Sequence, residues 1–181
     1  MLNVDADERV PPELATEIVE QVAIADAAPL GPRGFAVARK TFYLGRWIRH
    51  GGWYPNYVVR LADRRFSRWT EPQVHEVLTV QGQTGRLTNA LLHYTFAGIE
   101  DQIRTNIRYA RQGSEEMRGR GGGASLLRLM VKPLGKFIET YLLKRGFLDG
   151  LPGFIISVNA AHSMFLKHAF LFEHRLLSRK P

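Results

Sequence analysis

At 181 residues, with 45% hydrophobic and 23% charged side chains, the chain has the ordinary composition of one globular domain with a real core, which excludes bulk disorder. It contains no cysteine, and this excludes disulfides, thiolate catalysis and cysteine-ligated zinc, leaving a cytosolic chain as the default. Lysine and arginine outnumber the acids 25 to 17, a net charge of +8 that predicts attraction to nucleic acid, a phospholipid surface or a phosphorylated acceptor. The acidic N-terminus lacks the basic and apolar regions of a signal peptide.

Val4-Asp5-Ala6-Asp7-Glu8 follows a short apolar run. If that run is a strand, its period of two aims Asp5 and Asp7 at the same side, where two hard oxygen ligands can hold Mg²⁺ or Mn²⁺. A solvated turn before a helix is the plainer reading of the same triplet. Pro11, Pro12 and Glu13 then open a helix, and Leu14, Ile18 and Val22, widened by Ala15 and Val19, predict one buried face to about Ala25. Pro29, Gly31, Pro32 and Gly34 form a loop. A short strand is expected over residues 35–38, then an aromatic and basic segment over 40–49. A glycine turn, His50-Gly51-Gly52-Trp53-Tyr54-Pro55, carries two large rings and can approach a ligand closely.

Residues 57–61, 74–80 and 91–94 have strand character. Ile99, Ile103, Ile107 and Ala110 mark the expected inner face of a helix whose other side carries Arg104, Arg108 and Arg111, a row that is either solvated or faces an anionic partner. Residues 118–123 form a flexible glycine joint without the ending of a phosphate-binding P-loop. Beyond it Ser125 caps an amphipathic helix that Pro133 kinks, with Arg128, Lys132 and Lys136 along one stripe. Residues 150–166 have no Asp, Glu, Lys or Arg, yet fall short of the roughly 20 apolar residues a bilayer span needs. They suit a helix lying in the membrane interface, or a hairpin covering a core; basic stripes beside broad apolar faces favour anionic lipid headgroups.

Val4 to Val10, the run Arg46-Trp47-Ile48-Arg49-His50-Gly51-Gly52-Trp53-Tyr54-Pro55, Val74-His75-Glu76, Leu92-His93-Tyr94 and Arg145-Gly146-Phe147-Leu148-Asp149-Gly150 together resemble the back half of bacterial family 2 glycosyltransferases. The branch they look most like adds a sugar to the lipopolysaccharide inner core. The resemblance implies an α/β fold, the back half of the A-type, Rossmann-like glycosyltransferase fold, with a C-terminal helical appendage. It divides the chain into a partial catalytic domain over 1–118, a joint over 119–124 and a helical region over 125–181. The nucleotide-binding front half is expected in a preceding segment or a separate chain.

The implied activity is an inverting transfer from a UDP-linked nucleotide-sugar to a lipopolysaccharide-core or related anionic glycolipid, by a cytoplasmic protein peripheral to the inner membrane. Asp5 and Asp7 would handle metal and donor ribose, and His93 would add a third contact to a Mg²⁺ or Mn²⁺ ion or to the diphosphate. Glu76 would be the base that deprotonates the acceptor hydroxyl. His50, Trp53, Tyr54, Arg60 and His75 would meet the acceptor, the rings by stacking on sugar and the cations on phosphate. A rival of another class is a non-catalytic basic module binding an anionic membrane or nucleic acid through the aromatic and basic residues of 40–69. No recognised nucleic-acid motif accompanies them, and nucleic acid is not expected as a partner.

Overall fold

The computed structural model describes residues 1–28, 30–70 and 77–178. It is a mixed α/β chain that folds as two compact units, one of residues 1–49 and 53–95, the other of residues 50–52 and the chain from Phe96 onward. The packing boundary thus falls at Thr95 and Phe96, while the glycine-rich run expected to divide the chain at 119–124 lies within the second unit.

The first unit is built on a six-stranded sheet. Its elements are β1 (Glu8–Arg9), α1 (Pro12–Ala27), β2 (Gly34–Tyr43), β3 (Arg46–Trp47), β4 (Asn56–Ala62), β5 (Ser67–Trp69), β6 (Leu78–Val80), β7 (Thr84–Arg86) and β8 (Leu91–His93). The long strand β2 organises the rest. It pairs antiparallel with β4 and β3, and parallel with β7 at Gly34 to Ala36 and with β8 at Arg39 to Thr41. β8 in turn pairs antiparallel with β1, setting Glu8 opposite His93. β5 and β6 form a separate two-stranded ribbon.

β2 is much longer than the four residues expected. Arg39 and Lys40 interrupt its apolar pattern, but each is matched within the fold: Arg39 pairs with Glu8 at 3.7 Å, and Lys40 lies 5.6 Å from the centre of the Trp47 ring. A strand paired on both edges tolerates cations whose charge is met. Residues 1–3 contribute an isolated bridge, Leu2 to Leu61, beside β4 and not a full strand. Asp5 and Asp7 consequently lie in a turn leading into β1, and the period of two does not govern them. Of the expected strand over 74–80, residues 78–80 form β6; residues 74–76 lie outside the described residues.

Leu14, Phe35, Val37, Leu61, Leu87 and Leu91 make the core of this unit, with Val10, Ile18, Ala25 and Val58 packed around it. Only part of the predicted α1 stripe is buried, since Val19 and Val22 are exposed.

The second unit is helical: α2 (Ile99–Gly119), α3 (Leu126–Phe137), a π-helical turn (Ile138–Leu143), a 3-10 turn (Gly146–Asp149) and α4 (Gly150–Leu177). Ser125 Oγ accepts from the Arg128 N–H and caps α3, as its position predicts. α4 packs on both α2 and α3, and the charge-free residues 150–166 form its first half, burying Ile156, Ser157 and Asn159. No described helix is long and apolar enough to cross a membrane.

The expected inner face of α2 is buried in part: Ala110 is buried and Ile103 half-buried, but Ile99 and Ile107 are exposed, and Gln102 and Ser114 are buried instead. The reason is a polar match, because Asn159 Nδ2 on α4 donates to Gln102 Oε1 at 2.5 Å. A buried amide that finds its partner sets the helix rotation as firmly as apolar periodicity does.

Candidate functional site

Two constellations gather residues that are distant in sequence, one in each unit. In the first, the acidic turn before β1 is held by a buried ion network. Glu8, with its side chain fully buried, accepts from Arg60 Nη2 on β4 at 2.7 Å and from the Asp5 backbone N–H at 3.0 Å, and lies 3.7 Å from Arg39 Nη1 on β2. The same Arg60 Nη2 also donates to the Asp5 carboxylate. Burial works against the Arg60 charge, but Glu8 and Asp5 outweigh it and raise its pKa further.

Asp7 faces another way. Its Oδ2 is 3.2 Å from His93 Nε2, and its carbonyl accepts from the Tyr94 N–H at 2.8 Å, so the turn is tied to the end of β8. His93 Nδ1 lies 3.3 Å from Thr41 Oγ1 on β2. Burial, then the nearby Arg39 guanidinium, push the His93 pKa below its ordinary value, with Asp7 and Glu8 opposing. The imidazole is therefore held neutral near physiological pH, the form that ligates a cation. The Asp7 side chain remains 43% exposed and within reach of a ligand.

Beside this pair stands an aromatic triangle. Phe42, Trp47 and Tyr94 have ring centres 5.1 to 5.9 Å apart, with the Arg9 guanidinium 5.0 Å from the Tyr94 ring centre. Trp47 and Tyr94 are partly open to solvent, as a surface that receives a sugar ring requires.

In the second unit the glycine turn meets the loop after the π-helical turn. The His50 backbone N–H donates to Asp149 Oδ2 at 2.7 Å, and its ring Nδ1 lies 3.2 Å from Asp149 Oδ1. The Gly51 N–H donates to the Lys144 carbonyl at 2.9 Å. Asp149 is 1% exposed, so its carboxylate orients the His50 ring from a buried position. The surrounding backbone is tight, because a Cβ at Gly153 would collide with the Gly146 carbonyl oxygen. Glycine is required at that crossing.

The structure thus brings Asp5, Asp7, Arg60 and His93 into one neighbourhood and gives them unequal tasks. Asp5 faces Arg60 while Asp7 faces His93, and among the described residues no three histidine, aspartate or glutamate side chains gather as a metal cage. Arg60, expected to meet the acceptor, is buried and engaged by the turn's own carboxylates. Trp53 packs its ring 5.5 Å from that of buried Tyr43, and Tyr54 is partly buried in the turn. His75 and Glu76 lie outside the described residues. Sequence reasoning missed Glu8, Arg39, Thr41 and Asp149. Glu8 and Asp149 both sit inside the quoted motifs, and an acid in such a motif beside strand-borne arginines was the available signal. A cavity of about 290 Å³ in the first unit, lined by Arg33, Phe35, Asp63 and Arg65 among others, includes none of Asp5, Asp7 or His93.

Comparison with known proteins finds distant relatives that carry the name glycosyltransferase. The chain is 24% identical over 190 aligned residues to an uncharacterized glycosyltransferase of Rickettsia typhi, covering 99% of this chain and 64% of that protein. It is equally similar to one of Rickettsia conorii, of which it covers 66%, and 23% identical to one of Rickettsia prowazekii, of which it covers 64%. The chain therefore spans just under two thirds of the length of these relatives. No protein-family model and no solved structure matches it.

Proposed function

We propose that the chain is the acceptor-side part of an inverting glycosyltransferase of family 2 and A-type fold, moving a sugar from a UDP-linked donor to an anionic glycolipid of the lipopolysaccharide-core kind. The observation that carries this reading is the Asp7–His93 pair, 3.2 Å apart at the junction of β1 and β8, beside an open aromatic surface. An exposed carboxylate next to an imidazole held neutral is a donor set that fits Mn²⁺ or Mg²⁺, which take one or two protein ligands and complete their shell with phosphate oxygens and water. Asp7 and His93 are the residues that would hold the ion. Bound there, it would supply the positive charge that stabilises a departing diphosphate.

The chain's own residues do the rest. Glu8 and Arg60 hold the turn rigid, so that Asp7 meets its ligand without reordering the backbone. Trp47 and Tyr94 offer faces to a sugar ring, a role proposed beside that of Trp53 and Tyr54. His50, oriented by Asp149, contacts acceptor hydroxyl or phosphate oxygens. Glu76 takes the proton of the attacking hydroxyl as it bonds to the anomeric carbon.

Titration calorimetry with Mn²⁺ and UDP, on the enzyme with its nucleotide-binding half supplied, tests the site. Asp7→Ala and His93→Ala are each expected to weaken binding by about 10- to 100-fold, the usual cost of a lost metal ligand or its support. Glu76→Gln is expected to leave that affinity intact while removing transfer to lipopolysaccharide core. Unchanged Mn²⁺–UDP affinity in both Asp7→Ala and His93→Ala would overturn the reading.

A further inference from the structure

The second unit carries an apolar face that none of the described residues covers. Leu126, Leu127, Met130, Val131, Leu134 and Ile138 recur at three- and four-residue spacing along α3 into the π-helical turn, and every one is exposed, Leu127 at 72% and Leu134 at 67%. The opposite side of α3 packs on α4, so this arc is turned outward and is not core. The face continues through Leu142 and Leu143 to Phe147 and, on α4, Leu151 and Phe154, also exposed. Together α3 and the π-helical turn cover residues 126–143, about 27 Å of helix at the usual rise. An uncovered stripe of that length is not the scatter of single apolar residues that any surface shows.

The charges around the stripe select its partner. No acidic residue occurs from Met117 to Ile138, while Arg118, Arg120, Arg128, Lys132 and Lys136 do. On α3, Arg128 and Lys132 are exposed one turn apart on a flank of the apolar arc, and their own helix offers them no carboxylate. At the far end, exposed Lys144 and Arg145 follow Leu143. The aromatic rings at that end, Phe137, Tyr141, Phe147 and Phe154, pack in neighbouring pairs with centres 5.2 to 6.3 Å apart, and Tyr141 among them is amphipathic, a residue type enriched at headgroup depth. The acid of this stretch, Glu139 in the π-helical turn, is met by Lys136 at 3.0 Å and Lys144 at 2.5 Å, so the charge left over along the arc is cationic and suits a phosphate-rich bilayer surface. A second copy would set these cations against one another.

We infer that α3 and the π-helical turn form an in-plane membrane anchor: the leucine face enters the acyl boundary of an anionic bilayer, and Arg128, Lys132 and Arg145 meet lipid phosphates. This deepens the glycolipid reading by naming the surface that keeps the protein at its acceptor. Vesicle binding needs neither donor nor transfer, so the two readings fail separately.

The test is flotation of the whole chain with vesicles of phosphatidylcholine alone or mixed with phosphatidylglycerol. Wild type is expected to partition at least about tenfold more strongly onto the anionic vesicles, and less so as salt rises. Leu127→Glu with Leu134→Glu is expected to reduce that binding at least about tenfold. Arg128→Gln with Lys132→Gln is expected to remove most of the preference for phosphatidylglycerol. All four positions are exposed, and circular dichroism checks that the helices persist. In a Leu134→Trp variant, the emission added to that of wild type is expected to shift to the blue on anionic vesicles. Absence of wild-type binding, binding unaffected by both double variants, or a lipid-free dimer that Leu134→Glu separates into monomers would each overturn the anchor.

Discussion

Arg60 stands between Glu8, 2.7 Å away, and Asp5, and only 10% of its side chain reaches solvent. The two acids differ in what they risk: the Asp5 side chain is 53% exposed and can turn to water, whereas that of Glu8 cannot. Arg60→Met is therefore expected to lower stability by about 3 kcal/mol, since it leaves a buried carboxylate with only the Asp5 N–H and the more distant Arg39, and Glu8→Gln in the same chain should recover part of the loss. Chemical denaturation of the three proteins measures this. Asp7→Ala, at an exposed position, should cost less than about 1 kcal/mol, which separates the residue that binds from the residues that hold the turn. A calorimetric loss of Mn²⁺–UDP binding in Asp7→Ala with unchanged stability would have no structural explanation other than the ligand. The chemistry of Asp5, Asp7 and His93 was legible in their residue types and motif. Their allotment was not, because Arg60 meets Glu8 across 52 residues of sequence and no local pattern records which acid the guanidinium takes.

Among the elements, α1 shows how one acid can place a helix. Glu17 accepts from the Thr88 N–H at 2.6 Å and from the Asn89 N–H at 2.8 Å, which ties the middle of α1 to the segment leading into β8. Burial alone would raise its pKa, but these hydrogen bonds outweigh burial and hold the carboxyl below its ordinary value. A carboxyl depressed in the folded state contributes stability that is complete above its unfolded pKa, near 4.5, and is lost as the pH falls through the lower folded value. Glu17→Gln is expected to cost about 1–2 kcal/mol near neutral pH, and to flatten the fall in stability below about pH 4.5. Urea denaturation at a series of pH values reads both effects. The extent of α1, the turn at Gly51 and Gly52, the strand β8 and the Ser125 cap were all readable from local signals. The rotation of α2 was not, because Gln102 faces inward to meet Asn159 and no apolar period announces an amide pair.

For the whole molecule, the chain order and the packing order differ. His50 to Gly52 sit within the first unit's stretch of sequence but pack with the second, where His50 supplies two donors to Asp149. A fragment beginning at Phe96 lacks both donors and leaves that buried carboxylate without them. It is expected to lose the sharp amide spectrum of a packed helical unit, and a peptide spanning residues 46–55, added in excess, should restore part of it. A fragment as well dispersed in its NMR spectrum as the corresponding region of the whole chain would show that the His50–Asp149 contact is dispensable. Composition and local pattern alone determined a cysteine-free, basic α/β chain, the positions of most helices, the glycine turns and the kinds of side chain available for chemistry, since each of these depends on neighbours a few residues apart. Only the tertiary structure decided that Asp7 faces His93, that Glu8 and Arg60 brace the turn, and that the leucine face of α3 points outward. Those outcomes depend on which charges and amides must be matched once water is excluded, and the matching partners lie 52 to 99 residues away along the chain.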